Sequence, residues 1–360
     1  MSMKWRLFDP GPLSAAENMA LDRVILTARS HNIIPNTVRF LQFSPHCVLV
    51  GYHQAVVMEI EQEYCHSRGI EINRRITGGG NLYWDESQLG WELVALRDTP
   101  KIPKRLEDMY RLMCESAIAG LRRLGVAAEY RPANDIEVNG RKICGTGGAE
   151  FGDAFLYQGS LLTDFDVNTM VAALKLPVKK LEDKQVKSFK NRVVDLKEVL
   201  GFLPPMMEIK KAMAQGFADV LGVKLVPGGL TPEEHEMLAE ELPKFKSNEW
   251  VYGLRIPQQF NDLNQAEYKS SGGLIRVSLR LDRTREVIKS AFITGDFFAY
   301  PERSILDLEA ALKNSSSRKD EIQRMVKVFF EAHKVRIPGV KPEDFSNAII
   351  AAIEGTEDGQ

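Results

Sequence analysis

The sequence predicts an α+β protein with a large first domain and a small α+β second one. Three observations carry this. Short apolar strands and amphipathic helices are interspersed as far as Pro243-Lys244-Phe245-Lys246, with strands dense around residues 136–162. Beyond that point the pattern becomes a strand pair followed by helices, the order of a separate α+β unit. A chain of 360 residues, 44% hydrophobic and 27% charged, has the size and balance of a globular protein of two domains or one large one that needs no crosslinks.

Taken in order, Lys4–Phe8 reads as an edge strand. Pro12–Ala28 reads as a helix, because Ala15, Met19, Leu21, Val24 and Ile25 form a stripe of helical period. Val38–Phe43 and Cys47–Gly51 read as strands joined by a Ser-Pro turn, and Ile60–Arg68 as a helix stopped by Gly69. Ile70–Asn73 leads into a glycine run, and Leu89–Leu96 is a further strand. Arg105–Leu124 is amphipathic and ends at Gly125. Ile136–Val138, Lys142–Cys144 and Ala154–Leu162 read as strands. Asn139-Gly140 between the first two marks a tight hairpin, since both central residues of a type I′ turn need positive φ. Val167–Leu174 and Met206–Leu221 are helical, as is Thr231–Leu242, where Thr231 and Glu234 form a capping box. Leu274–Leu281 and Glu286–Ile293 alternate as an antiparallel pair, before helices at Ile305–Leu312, Asp320–Glu331 and Asp344–Ile353. Gly355–Gln360 is polar and expected to fray.

A formal charge of −2 argues against a broad grip on nucleic acid, which needs a basic face. Cys47, Cys65, Cys114 and Cys144 show no CxxC spacing, so neither a zinc site nor a redox pair is indicated. Scattered thiols fit a reducing, cytoplasmic setting. The first ten residues contain Lys4, Arg6 and Asp9 and do not resemble a signal peptide, and no apolar run is long enough for a membrane span.

Two stretches could carry chemistry. In Arg74-Arg75-Ile76-Thr77-Gly78-Gly79-Gly80, three glycines permit close backbone approach beside two permanent cations. The plain alternative is a flexible turn. In Asn134-Asp135 to Lys142, an ammonium follows the hairpin turn and Gly145-Thr146-Gly147-Gly148 comes next. A lysine in that place suits both a carboxylate and a phosphate; Asp135 suits a divalent metal or a turn cap. If the return strand alternates regularly, Cys144 shares a face with Lys142, and an ammonium there would favour a thiolate. A small buried hydrophobe is the other reading of Cys144.

The order of segments resembles the lipoate–protein ligase A family, of the biotin/lipoate ligase superfamily. The match runs through Gly51-Tyr52-His53-Gln54, Arg74 to Asp85, Asn134-Asp135 with Gly140 to Gly145, Tyr157-Gln158-Gly159-Ser160-Leu161-Leu162, and Asn191 to Leu196. It continues through Trp250, Tyr252-Gly253 and Gly295-Asp296-Phe297-Phe298. Trp84 and Tyr157-Gln158 stand where the family carries histidines.

The resemblance implies a ligase-type catalytic domain with a mixed, largely antiparallel sheet over 1–245. An accessory domain would span 250–340 and a C-terminal helix and tail 341–360. A hinge is expected near Lys244–Glu249. The implied activity is an ATP-dependent, AMP-forming lipoate–protein ligase: lipoate, ATP and Mg²⁺ give lipoyl-adenylate, and the acyl group passes to a carrier lysine. The carrier would be the lipoyl domain of a 2-oxoacid dehydrogenase, a glycine cleavage H protein or a dedicated lipoate-binding protein, and the enzyme a monomer. Lys142 would be catalytic. Arg74, Arg75, Thr77, Gly78, Gly79, Gly80, Asn134, Asp135, Gly145 and Gly159 would bind substrate or ATP, with Asp135 as metal ligand. Two further readings stay open: a lipoyl or octanoyl transferase forming a Cys144 thioester, and a lipoate- or lipoyl-domain-binding paralogue without turnover. Biotin ligase shares the fold, but its glycine-rich motif differs.

Overall fold

The computed structural model describes residues 3–132, 134–175, 191–254 and 263–355. The tail beyond Gly355 lies outside them. The chain forms two compact units. The first comprises Met1–Leu49, Glu59–Ile76 and Leu82–Val251; the second comprises Val50–Met58, Thr77–Asn81 and Tyr252–Gln360.

In the first unit the strands are β1 (Lys4–Phe8), β2 (Pro12–Leu13), β3 (Thr37–Phe43), β4 (Cys47–Val50), β5 (Glu71–Arg74), β6 (Leu82–Trp84) and β7 (Leu89–Leu96). They continue with β8 (Glu129–Arg131), β9 (Asp135–Val138), β10 (Arg141–Phe151), β11 (Ala154–Leu161) and β12 (Lys224–Pro227). The helices of this unit are α1 (Ala15–Ser30), α3 (Gln62–Ser67), α4 (Leu106–Arg123), α5 (Val167–Ala173), α6 (Leu196–Leu200), α7 (Met206–Leu221), α8 (Pro232–Phe245) and α9 (Asn248–Tyr252), while α2 (Val56–Glu59) belongs, as far as Met58, to the second unit.

The main sheet runs β12-β1-β3-β7-β11-β10-β9-β8, with β2 alongside β3, and β5-β4-β6 form a small second sheet. Pairings are parallel from β12 to β3 and antiparallel from β3 to β8. A mixed, largely antiparallel sheet is therefore observed. β1 is not its edge, because Lys224–Pro227 adds outside it.

Each face of the sheet has its own cover. On one, α1 is tied down by Arg39 of β3, which donates to Asp22 and Asn18 of α1 and to Glu92 of β7 at 2.7–2.9 Å. All four side chains are buried. On the other, α4 and α7 pack over Trp91 and Tyr157: Phe217 of α7 lies 5.1 Å from the Trp91 ring and Tyr110 of α4 lies 4.6 Å from that of Tyr157. The two helices meet at Gly120 and Gly216, where a Cβ on Gly216 would stand 2.2 Å from the Gly120 nitrogen. α8 is held to β1 by Arg6, which makes paired bonds of 2.6 and 2.7 Å to the buried Glu234. The expected Thr231–Glu234 capping box is present.

Residues 244–249, where a hinge is expected, are mostly helical and hydrogen-bonded. α8 runs through Pro243 to Phe245, whose carbonyl accepts from Asn73, and the Trp250 indole donates to Arg74 O.

In the second unit β13 (Asn264–Ser270), β14 (Gly273–Asp282) and β15 (Val287–Gly295) form an antiparallel sheet. Helices α10 (Ser304–Leu312), α11 (Lys319–Ala332) and α12 (Pro342–Glu354) share its core. Ile275, Val277 and Leu279 alternate inward against Leu308, Val326, Phe345 and Ile349. Each such buried side chain contributes about 1.5–3 kcal/mol relative to exposure.

Candidate active site

The β9–β10 hairpin forms as the Asn-Gly pair dictates, with Asn139 at φ 52° and Gly140 at φ 74° and Arg141 opposite Val138. At Lys142 the ladder is then interrupted. Lys142 N–H donates to Arg192 O at 2.9 Å and Lys142 O accepts from Val194 N–H at 2.9 Å, so the segment after residue 190 draws it out of register. Pairing shifts from Lys142–Glu137 to Cys144–Ile136, a β-bulge. A single inserted residue reverses the face on which every later side chain stands.

The bulge decides which groups meet. Lys142 Nζ lies 2.7 Å from Asp135 Oδ1. Asp135 pairs with Gly145, and a Cβ on Gly145 would stand 2.8 Å from Lys142 Nζ. Lys142, Asp135 and Gly145 thus share one face, together with Ser160, which pairs with Gly145. Cys144, next to Gly145, points the opposite way. The expectation that Cys144 faces Lys142 is corrected by the bulge. The thiol is buried beside Ile136 and its burial pushes its pKa strongly up, with a small opposing pull from Lys142. Cys47, Cys65 and Cys114 are also buried, and burial raises each of their thiol pKa values.

Asn134 orients Asp135. Its side-chain amide donates to Thr146 O at 2.7 Å, and its carbonyl accepts from the Thr146 N–H and hydroxyl. Gly159 belongs to the opposite face, where a Cβ would stand 2.3 Å from the Trp91 ring; the glycine makes room for an indole. Tyr157 lies on that face too, its hydroxyl 2.5 Å from Thr146 Oγ1. Trp84 is buried against Phe43, with ring centroids 4.7 Å apart. Tyr157 thus stands on the face away from Lys142, whereas the Trp84 ring lies over Gly90, the strand partner of Ser160, where a Gly90 Cβ would stand 3.1 Å from it.

Arg74 and Arg75 are buried, and they grip main chain. Arg74 donates to Trp250 O and Val251 O, and Arg75 to Leu49 O, at 2.9–3.0 Å. Burial lowers the Arg75 pKa to about 10. Thr77 to Gly80 belong to the second unit. There Gly79, at φ 90°, donates its N–H to Phe297 O, and a Cβ on Gly78 would stand 2.4 Å from that same oxygen. Gly78 thus permits close approach of the Phe297-Phe298 backbone, while a Cβ on Gly79 would stand 2.7 Å from the Phe298 ring. As for a divalent metal at Asp135, its carboxylate already faces an ammonium, and among the described residues no group of three or more acidic, histidine or cysteine side chains could hold one. These side chains alone form no metal cage.

Of the residues singled out from sequence, the structure brings Lys142, Asp135 and Gly145 together on one face. Sequence reasoning passed over Ser160, which stood in a matched segment, and the role of Val193-Val194 in displacing Lys142.

Comparison with known proteins bears directly on the chemistry. Residues 14–218 match the lipoyl protein ligase A/B catalytic domain, and residues 259–349 match the bacterial lipoate protein ligase C-terminus. An octanoyltransferase LipM of Kyrpidia tusciae is 30% identical, over 69% of this chain and 98% of its own length. One of Geobacillus kaustophilus is 31% identical with the same coverage. Among solved structures, a bi-partite lipoate protein ligase from Thermoplasma acidophilum is 28% identical with a TM-score of 0.63, covering 72% of this chain and all of its own. The expectation of an ATP-dependent, AMP-forming ligase is overturned by these curated relatives, which are octanoyltransferases over almost their entire length. The motifs that suggested a ligase are carried on a fold that also serves transferases. With that correction, the catalytic-domain match over 14–218 shows that this chain belongs to the lipoyl protein ligase A/B family of enzymes.

Proposed function

We propose that the chain is an acyltransferase that moves an octanoyl group, or the related lipoyl group, from a thioester donor to a lysine of a lipoyl-carrier protein. The observation that carries this reading is the near-complete coverage of octanoyltransferase relatives at about 30% identity. A thioester is already activated, so the reading calls for neither ATP nor Mg²⁺. A lipoyl domain is the acceptor class suggested by the Thermoplasma acidophilum lipoylation system, in which a bi-partite ligase is paired with its E2 lipoyl domain.

Lys142 is the catalytic residue of this reading. Held beside Asp135 and above the bare Cα of Gly145, its ammonium offers positive charge to the carbonyl oxygen of the bound acyl group. Asp135 and Asn134 position it. Arg74 and Arg75 hold the main chain at Trp250-Val251 and Leu49. The site requires no thiolate at Cys144, whose side chain turns away from Lys142.

The test is the mass of a purified apo lipoyl domain after incubation with the chain and an octanoyl thioester of an acyl-carrier protein, without nucleotide. One octanoyl group per acceptor lysine is expected. An acceptor that stays unmodified refutes the reading.

A further inference from the structure

One more hydroxyl stands beside Lys142. Ser160 pairs with Gly145 across β10 and β11, so both residues present the same face. The point where a Gly145 Cβ would stand is 2.8 Å from Lys142 Nζ and 3.7 Å from Ser160 Oγ. An ammonium and a hydroxyl therefore flank the bare Cα of Gly145, where a side chain at residue 145 would crowd the end of Lys142. Ser160 is 8% exposed, and its hydroxyl reaches Gly145 O at 3.5 Å, the outer limit of a hydrogen bond. Its proton is weakly engaged and can turn to a stronger acceptor. Thr146, the neighbouring hydroxyl on the opposite face, is by contrast committed to Asn134 O at 2.7 Å and Tyr157 Oη at 2.5 Å.

We propose that Ser160 is a catalytic residue: its hydroxyl and the Lys142 ammonium together donate to the acyl carbonyl oxygen, which sits over Gly145. This rests on the acyl-transfer reading. In the transfer, a bond forms between the acceptor lysine nitrogen and the carbonyl carbon, and the carbonyl π pair moves onto oxygen. The two donors stabilise that oxyanion. When the pair returns, the carbon–sulfur bond breaks, the sulfur departs as a thiol, and the proton it gains balances the one lost by the amine. A glycine at 145 is then a requirement of the chemistry, because a side chain would occupy the oxygen's place.

Steady-state transfer from the octanoyl thioester to the apo lipoyl domain, with the full chain, tests this. Ser160→Ala is expected to lower kcat about 10²–10³-fold, the usual effect of deleting one oxyanion donor, with KM for the thioester nearly unchanged. Ser160→Thr, which keeps the hydroxyl, restores most of kcat. Gly145→Ala is expected to be as slow as Ser160→Ala while remaining folded, because the added carbon meets the flexible end of Lys142 at 2.7–2.8 Å and not backbone. Retention of wild-type kcat by Ser160→Ala overturns the inference and leaves the transfer reading standing. A stable acyl ester on Ser160, detected by peptide mass spectrometry during turnover, also overturns it, since the hydroxyl would then be the nucleophile. An inactive wild-type chain refutes the transfer reading itself.

Discussion

Lys142 and Cys144 are two positions apart in sequence, yet they have opposite fates in the fold. The bulge leaves the ammonium at the Asp135 ion pair and sends the thiol into the layer beneath α4. Two predictions belong at this scale. Lys142→Ala is expected to abolish transfer, whereas Cys144→Ala lowers kcat by less than about threefold and costs on the order of 1 kcal/mol of stability. Rates with both variants check this; a dead Cys144→Ala that melts like wild type would restore the thioester route. Burial holds the Cys144 thiol protonated well above its ordinary range. Alkylation of the native chain should therefore stay slow from pH 7 to 9 at this residue and become rapid on unfolding, as followed by peptide mass.

At the scale of elements, glycines and buried charges set the geometry. The contact of α4 with α7 depends on Gly120 and Gly216, and Gly216→Ala is expected to cost about 1–3 kcal/mol by forcing the helices apart, measured by denaturant unfolding. In the second unit, Glu309 of α10 is largely buried and accepts from Ile293 N–H at 2.6 Å. Burial raises its pKa from 4.5 to about 7, only partly offset by that bond. A carboxyl with a raised folded pKa binds more protons folded than unfolded. Its contribution is present below the unfolded value and is lost as pH rises through the folded one, on the order of 3 kcal/mol in total. Thermal midpoints of the full chain should fall between pH 5 and 8, and Glu309→Gln should flatten that fall; an unchanged slope contradicts the assignment.

How much of this was legible in sequence varied with where the determinants lie. Local signals succeeded: Asn139-Gly140 gave its hairpin, and Met206–Leu221 and Leu89–Leu96 were found at their observed bounds. Polar edge strands failed. Asn264–Ser270 buries only Ala266, and Lys224–Pro227 buries no residue fully, so neither shows an apolar alternation. β10 extends to Phe151 because β11 pairs with it from Cys144 onward, although Gly145, Gly147 and Gly148 favour no strand locally. The bulge at Lys142 is imposed by residues 192–194, far along the chain, and no local pattern announces it.

For the whole molecule, the ordered motifs identified the family and the mixed sheet, but not the branch of chemistry. A lysine over a glycine serves an acyl-adenylate and a thioester equally well, because both present a carbonyl that develops negative charge. Around the glycine run, Phe297 O and Phe298 Cα close on Gly78 and the Phe298 ring on Gly79, whereas Gly80 meets nothing nearer than 3.8 Å. Among the described residues no helix is long and apolar enough to cross a membrane. The central claim is that the acyl group arrives already activated. A paired assay decides it: equal concentrations of octanoyl thioester without ATP, or of free octanoate with ATP and Mg²⁺, each with the chain and an apo lipoyl domain. Rapid acceptor modification from the thioester, with none from free acid and ATP, is the predicted result. Modification only in the ATP reaction, with release of pyrophosphate, would contradict the account.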